Sequence, residues 1–156
     1  MPGEFRVKIE GVKELQKKLS DPNFVKGPLR DFFEKSAFTI LATAQELVPR
    51  DRSRLAGSIH IKIEPLRAQV GTNIFYAPFV EFGTRPHWPP IAAMDPWARR
   101  HGFPPGRSGM FLVARAIARK GTRAQPYMQP ALEKSINAIK RFLRELGDTI
   151  KKNWSK

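Results

Sequence analysis

Between Ser58 and Glu64, isoleucine alternates with polar residues: Ile59, Ile61 and Ile63 against His60, Lys62 and Glu64. A period of two is the signature of a half-buried strand. Pro65 breaks the run, and Leu66, Ala68 and Val70 alternate again as its hairpin partner. After the turn at Gly71-Thr72-Asn73, the aromatic and β-branched run Ile74–Phe82 predicts a third strand, with Pro78 marking a sheet edge or bulge. Near the start, Phe5, Val7 and Ile9 alternate with Arg6 and Lys8, which predicts one more short strand.

Elsewhere the period is three to four. Val12, Leu15 and Leu19 predict a short helix that Pro22 closes. Pro28 suits a first helical position, and Leu29, Phe32, Phe33, Ala37, Ile40, Leu41, Ala44, Leu47 and Val48 form the broad apolar face of a long helix ended by Pro49. Arg50–Gly57 is a charged connection with room for one helical turn, for which Asp51 would be the cap. Met110, Val113, Ala114 and Ile117 predict a further helix ending at Gly121. In the last helix, Leu132, Ile136, Ile139, Leu143, Leu146 and Ile150 recur at alternating spacings of four and three, a narrow stripe suited to the core or to another subunit.

The expected architecture is α+β. An antiparallel sheet of about three to four strands is packed by the long helix of the N-terminal half and by the C-terminal helix. The chain of 156 residues reads as a single domain, 1–156, long enough for a substantial core. Within it, 85–122 reads as a basic insertion or projecting arm, because the stretch from Arg85 to Gly109 holds six prolines and three glycines.

Composition narrows the chemistry. With no cysteine, disulfides, thiol catalysis and sulfur-bound zinc are excluded. His60, His87 and His101 stand in no metal-ligand spacing, and neither GTNIFYAP nor GRSGMF matches a phosphate-cradling loop. Asp51 with Glu81 would make a carboxylate pair, but no acid–base partner accompanies it. The chain is therefore read as a non-enzyme without cofactor or metal. The start lacks the apolar core of a signal peptide, and no run is long enough to span a membrane, so the expectation is a protein made in a cytoplasm or within something assembled there.

The net charge is +14, and residues 85–124 hold eight basic residues against one acid, half of the excess. Such a field favours a polyanion or an acidic protein surface. Arg85, Arg99, Arg100, Arg107, Arg115, Arg119 and Arg123, interleaved with Trp88 and Trp97, are candidates for a subunit or partner interface or for the lining of a DNA channel. Contact with phosphates would be non-specific, since no sequence-reading motif accompanies the charge. The competing reading is a solvated helix face and a loop whose tryptophans pack on the domain or on a neighbour.

Glu81 is the unexplained acid of the Ile74–Phe82 run. It is either the outward residue of an alternating strand or the partner of a specific cation, for which Arg54 and Arg85 are the candidates.

Three segments together resemble a known family. VPRDRSRLAGSI (Val48–Ile59) supplies Pro49, Asp51, Ser53, Arg54 and Leu55; VGTNIFYAPFVEFGT (Val70–Thr84) supplies Tyr76, Ala77, Glu81, Gly83 and Thr84; RAQPYMQPALE (Arg123–Glu133) supplies Pro126, Tyr127, Pro130 and Ala131. In order and spacing these are similar to the head–tail joining, or tail-completion, proteins of tailed bacteriophages. Ser53-Arg54 departs from the Thr-Gly that the family often has there. The resemblance implies a structural protein of the virion without catalytic activity, assembled in the host cytoplasm. It further implies a homo-oligomeric ring, six-fold to match the tail, at the head–tail interface between connector or stopper proteins and tail terminator or tail tube proteins. Double-stranded DNA would pass through its channel, and no membrane would be involved. The alternative is a DNA-binding accessory protein that does not read sequence.

Overall fold

The computed structural model describes residues 17, 20–21, 24–49 and 53–155. The strand predicted at 5–9, the helix predicted from Val12 and the cap assigned to Asp51 lie outside the described residues. In chain order, the elements are α1 (Lys26–Leu47), α2 (Arg54–Ser58), β1 (His60–Glu64), β2 (Arg67–Gly71), α3 (Ala77–Phe82), a 3-10 turn (Ile91–Met94), α4 (Asp95–Arg100), α5 (Arg107–Lys120) and α6 (Met128–Trp154). The class is α+β with helices predominating.

Among the described residues the sheet has two strands, not three to four. β1 and β2 pair antiparallel about Pro65-Leu66, with Ile61 opposite Val70 and Ile63 opposite Ala68 on one face. The predicted third strand is instead a turn followed by α3. Pro78 decides this: it lacks the N–H that a ladder needs, but at the start of a helix that N–H has no partner anyway. Ala77 and Glu81, four residues apart, are buried together, whereas Phe75, Phe79 and Phe82 are exposed. That is a helical period, and the aromatic content of the segment disguised it.

The described residues form two compact units. The first draws on the chain up to Thr43, on His60–Gly71 and on the chain from Glu133. Here α1 and α6 run antiparallel: Phe24 lies with its ring centroid 5.9 Å from that of Trp154, and Lys35 Nζ is 3.6 Å from Glu145. Ala37 of α1 is almost fully buried.

The second unit comprises Ala44–Ile59 and Thr72–Leu132. Its core includes Ala44, Val48, Leu55, Ile59, Ala77, Val113, Ala114, Tyr127 and Ala131. Its segment 85–122 is not a bare loop. It folds into the 3-10 turn, α4 and α5, and these three pack on one another. Gly109 lets the Phe103-Pro104 linker between α4 and α5 lie against α5, because a Cβ there would lie 2.0 Å from the Pro104 carbonyl oxygen.

Candidate functional site

All three segments that carry the family resemblance contribute to the second unit. The first segment enters through Val48, Leu55 and Ile59, all buried. Ser53, at φ 55°, is a non-glycine residue in the left-handed region that starts α2, which is the backbone task a glycine performs without strain. At the other end of α2 the Ser58 hydroxyl donates to the Leu55 carbonyl at 2.7 Å and shares a 2.6 Å hydrogen bond with the Thr72 hydroxyl. Thr72 Oγ1 in turn accepts the Ile74 N–H at 3.1 Å, so one threonine ties the first segment to the second.

Glu81 ties the second to the third. Its Oε2 accepts the N–H groups of Tyr127, at 2.7 Å, and Met128, at 3.0 Å, and its Oε1 accepts that of Gln129 at 3.0 Å. These are donors at the start of α6 that have no partner within their own helix. A carboxylate is the suited acceptor, since negative charge is stabilised at the positive end of the helix dipole. Burial, with only 7% of the residue exposed, would push the Glu81 carboxyl up; the three backbone donors outweigh it and hold its pKa below the ordinary value. The same burial, followed by the nearby Glu81 charge, pushes the Tyr127 phenol up.

Glu81 is thus neither an outward strand residue nor the partner of an arginine. Among the described residues, no ion pair joins it to Arg54 or Arg85, and its acceptor capacity goes to the backbone. No spacing pattern marks this, because the helix it caps begins 47 residues later, beyond any local rule.

The end of the second segment closes a second junction. The Thr84 N–H donates to the Thr122 carbonyl at 3.1 Å, and the Thr122 N–H donates to Thr84 Oγ1 at 3.0 Å. A third bond, at 3.0 Å, joins the two hydroxyls. Gly83 and Gly121 flank this bridge at φ 70° and 71°. A Cβ on Gly83 would meet the Thr122 carbonyl oxygen at 2.5 Å, and one on Gly121 would meet the Thr84 carbonyl oxygen at 1.9 Å. Segment 85–121 therefore leaves and returns at one point, through two glycines that no other residue replaces without displacing backbone. The Gln125 N–H donating to the Val80 carbonyl at 2.8 Å extends the junction toward Glu81.

The basic candidates lie in that excursion or beside it. Arg85, Arg99, Arg100, Arg107, Arg115, Arg119 and Arg123 are all exposed, and Arg99 pairs with Asp95 at 2.9 Å. Trp88 meets Phe111 edge-to-face at 5.6 Å, while Trp97 stacks on His101 at 3.9 Å and touches Phe103. The tryptophans are thus placed by local packing in two separate clusters. Of the motif residues, Tyr127 is buried, and Tyr76 is half-buried with its ring against Phe75. Pro126 and Arg54 are exposed.

Sequence reading missed Thr122, which no pattern marks, and Phe111 and Leu112, which look like core positions of a helix. It also missed an open, mainly apolar groove of about 470 Å³ lined by Thr72, Phe75, Pro78, Glu81, Phe82 and Met128 among others. Among the described residues, no group of three or more His, Cys, Asp or Glu is placed to hold a metal, and no helix is long and apolar enough to cross a membrane.

Residues 12–83 match the model of a family described as "Bacteriophage HK97-gp10, putative tail-component". The resemblance to phage head–tail joining and tail proteins is borne out over that segment, which contains the first two motif segments almost entire. The match ends at Gly83, so the basic excursion and the start of α6 lie beyond it. No curated protein and no solved structure is similar enough to this chain to match it.

Proposed function

We propose that this chain is a ring-forming structural protein of a tailed bacteriophage, acting at the head–tail junction between connector and tail and carrying out no catalysis. The observation that carries the reading is the family match over residues 12–83, joined to a fold in which the two matched motif segments fall mainly in one unit. Glu81, the acid best placed to be catalytic, is fully committed to capping α6.

Exposed apolar surface supports self-association. Phe75, Phe79 and Phe82 project from α3 and the turn before it, with Phe75 84% exposed. Large apolar residues grouped in this way mark interaction sites. A ring needs heterologous contacts that close on themselves, and a six-fold ring would match the tail. The localisation that follows is the head–tail interface of the virion.

The test is the mass of the full chain in solution by light scattering and native mass spectrometry, alone and with candidate connector and tail proteins. Rings of defined stoichiometry are the expected result. A chain that stays monomeric at high concentration in both settings refutes the reading.

A second reading, non-specific contact with duplex DNA, is favoured by the exposure of the arginines on and around α4 and α5. It predicts steeply salt-dependent retention on DNA, weakened when Arg99, Arg100, Arg115 and Arg119 are neutralised. Retention unchanged by those substitutions removes it.

A further inference from the structure

The outer face of α5 departs from what an amphipathic surface helix presents. Gly109, Val113 and Ala114 are buried on one side. The opposite side carries Ser108, Leu112, Arg115 and Arg119, with Phe111 on its flank, as a repeat of 3.6 residues dictates. In the half nearer the N-terminus this outer side is apolar where charge would be expected: Phe111 is 45% and Leu112 47% exposed. Trp88, 52% exposed, sets its ring against Phe111 from the segment before the 3-10 turn. The second half of the same face is purely basic. α5 contains no acid, and among the described residues no carboxylate pairs with Arg115 or Arg119.

We propose that this face, centred on Trp88, Phe111 and Leu112 and bounded by Arg115 and Arg119, is a docking surface for an acidic protein segment with an apolar centre. Tryptophan and arginine are the residues that most often dominate binding energy, and here Trp88 is already held by its contact with Phe111. The arginines steer an acidic partner and fix its register, and the three apolar side chains lose water only when that partner covers them.

Charge selects the occupant. A second copy offering the same face would bring Arg115 and Arg119 against their own counterparts, and one offering another face, as a ring contact would, belongs to a chain of net charge +14; like charges in contact oppose association. Nucleic acid fits less well, because a phosphate surface gives Phe111 and Leu112 nothing to pack on. Stacking on bases needs an open ring face, and the Trp88 and Phe111 planes meet at 62°. The surface lies outside residues 12–83, and it does not depend on whether the chain forms a ring.

The test uses the full chain and fluorescently labelled probes read by anisotropy at physiological salt. One probe is a helical peptide with leucines on one side and glutamates on the other; the second carries serine in place of each leucine; the third is a short duplex DNA. The leucine peptide should bind at least about tenfold more tightly than the serine peptide. Phe111→Ser, Leu112→Ser and the double charge reversal Arg115→Glu/Arg119→Glu should each weaken it by about tenfold, with the helical circular dichroism unchanged since all four side chains are exposed. Three results overturn the proposal: no difference between the peptides; affinity within about twofold after Phe111→Ser and Leu112→Ser; or tight duplex binding that Phe111→Ser leaves intact while the leucine peptide fails to compete. Loss of self-association in Phe111→Ser would assign the face to a second copy and equally overturn it.

Discussion

Replacing Glu81 by glutamine tests the junction on which the second unit depends. The substitution preserves shape, removes the charge, and puts an NH2 group where one carboxylate oxygen was. Three backbone donors, at 2.7, 3.0 and 3.0 Å, converge on the two oxygens. Glutamine can satisfy the two that share Oε2 but must then point a donor at the Gln129 N–H. The surviving bonds lose their charge assistance, and charged hydrogen bonds are worth about 1.5–3 kcal/mol against about 0.5–1.5 for neutral ones. A loss of about 2–4 kcal/mol follows, partly relieved because Gln129 is exposed and water can reach its N–H. For a chain of this length each kcal/mol moves Tm by about 2–4 °C, so the variant should melt roughly 5–15 °C lower at pH 7.

The pH dependence provides a second readout. The folded carboxyl has a pKa below its unfolded value, so its stabilisation is complete above the unfolded pKa of about 4.3 and is lost as pH falls through the folded one. The gap between wild type and Glu81→Gln should therefore hold from pH 7 to pH 5 and close on further acidification. Calorimetry or thermal circular dichroism across that range measures it. A variant that melts within about 1 °C of wild type at pH 7 would refute the capping role. A gap that does not narrow in acid would refute its ionic character.

Other substitutions separate the junction from the surface. Gly121→Ala should destabilise by more than about 2 kcal/mol in urea unfolding, because the methyl would meet the Thr84 carbonyl oxygen while φ sits in the left-handed region. Thr84→Val replaces the hydroxyl that engages both Thr122 groups by a methyl; a loss of about 1–2 kcal/mol and faster proteolysis within 85–121 are expected. Lys35→Ala should change stability by less than about 1 kcal/mol, since its 3.6 Å pair with Glu145 is exposed on both sides.

Local pattern carried much of this fold. The isoleucine alternation at 59–63 placed β1, and Gly121 marked the end of α5. The three-to-four spacings located α1, α5 and α6 to within a few residues, because each repeats its period over several turns. The same reasoning failed at Ile74–Phe82, where aromatic content outweighed the one informative residue, Pro78. A short segment offers too few repeats for period two and period 3.6 to be told apart, and its neighbours decide the outcome.

By itself, the sequence determined the class of the fold, the basic character of 85–124 and the motif segments, two of which fall almost entirely within residues 12–83 that match a phage tail-component family model. Only the tertiary structure decided why those motifs travel together. Glu81 satisfies the start of a helix far along the chain, Thr84 closes on Thr122, and both contacts bring backbone groups from distant positions to one place. Hydrogen bonds to backbone N–H and C=O leave no trace in the identity of the partner residue. A carboxylate that caps a remote helix therefore reads, from sequence alone, as an acid without a purpose.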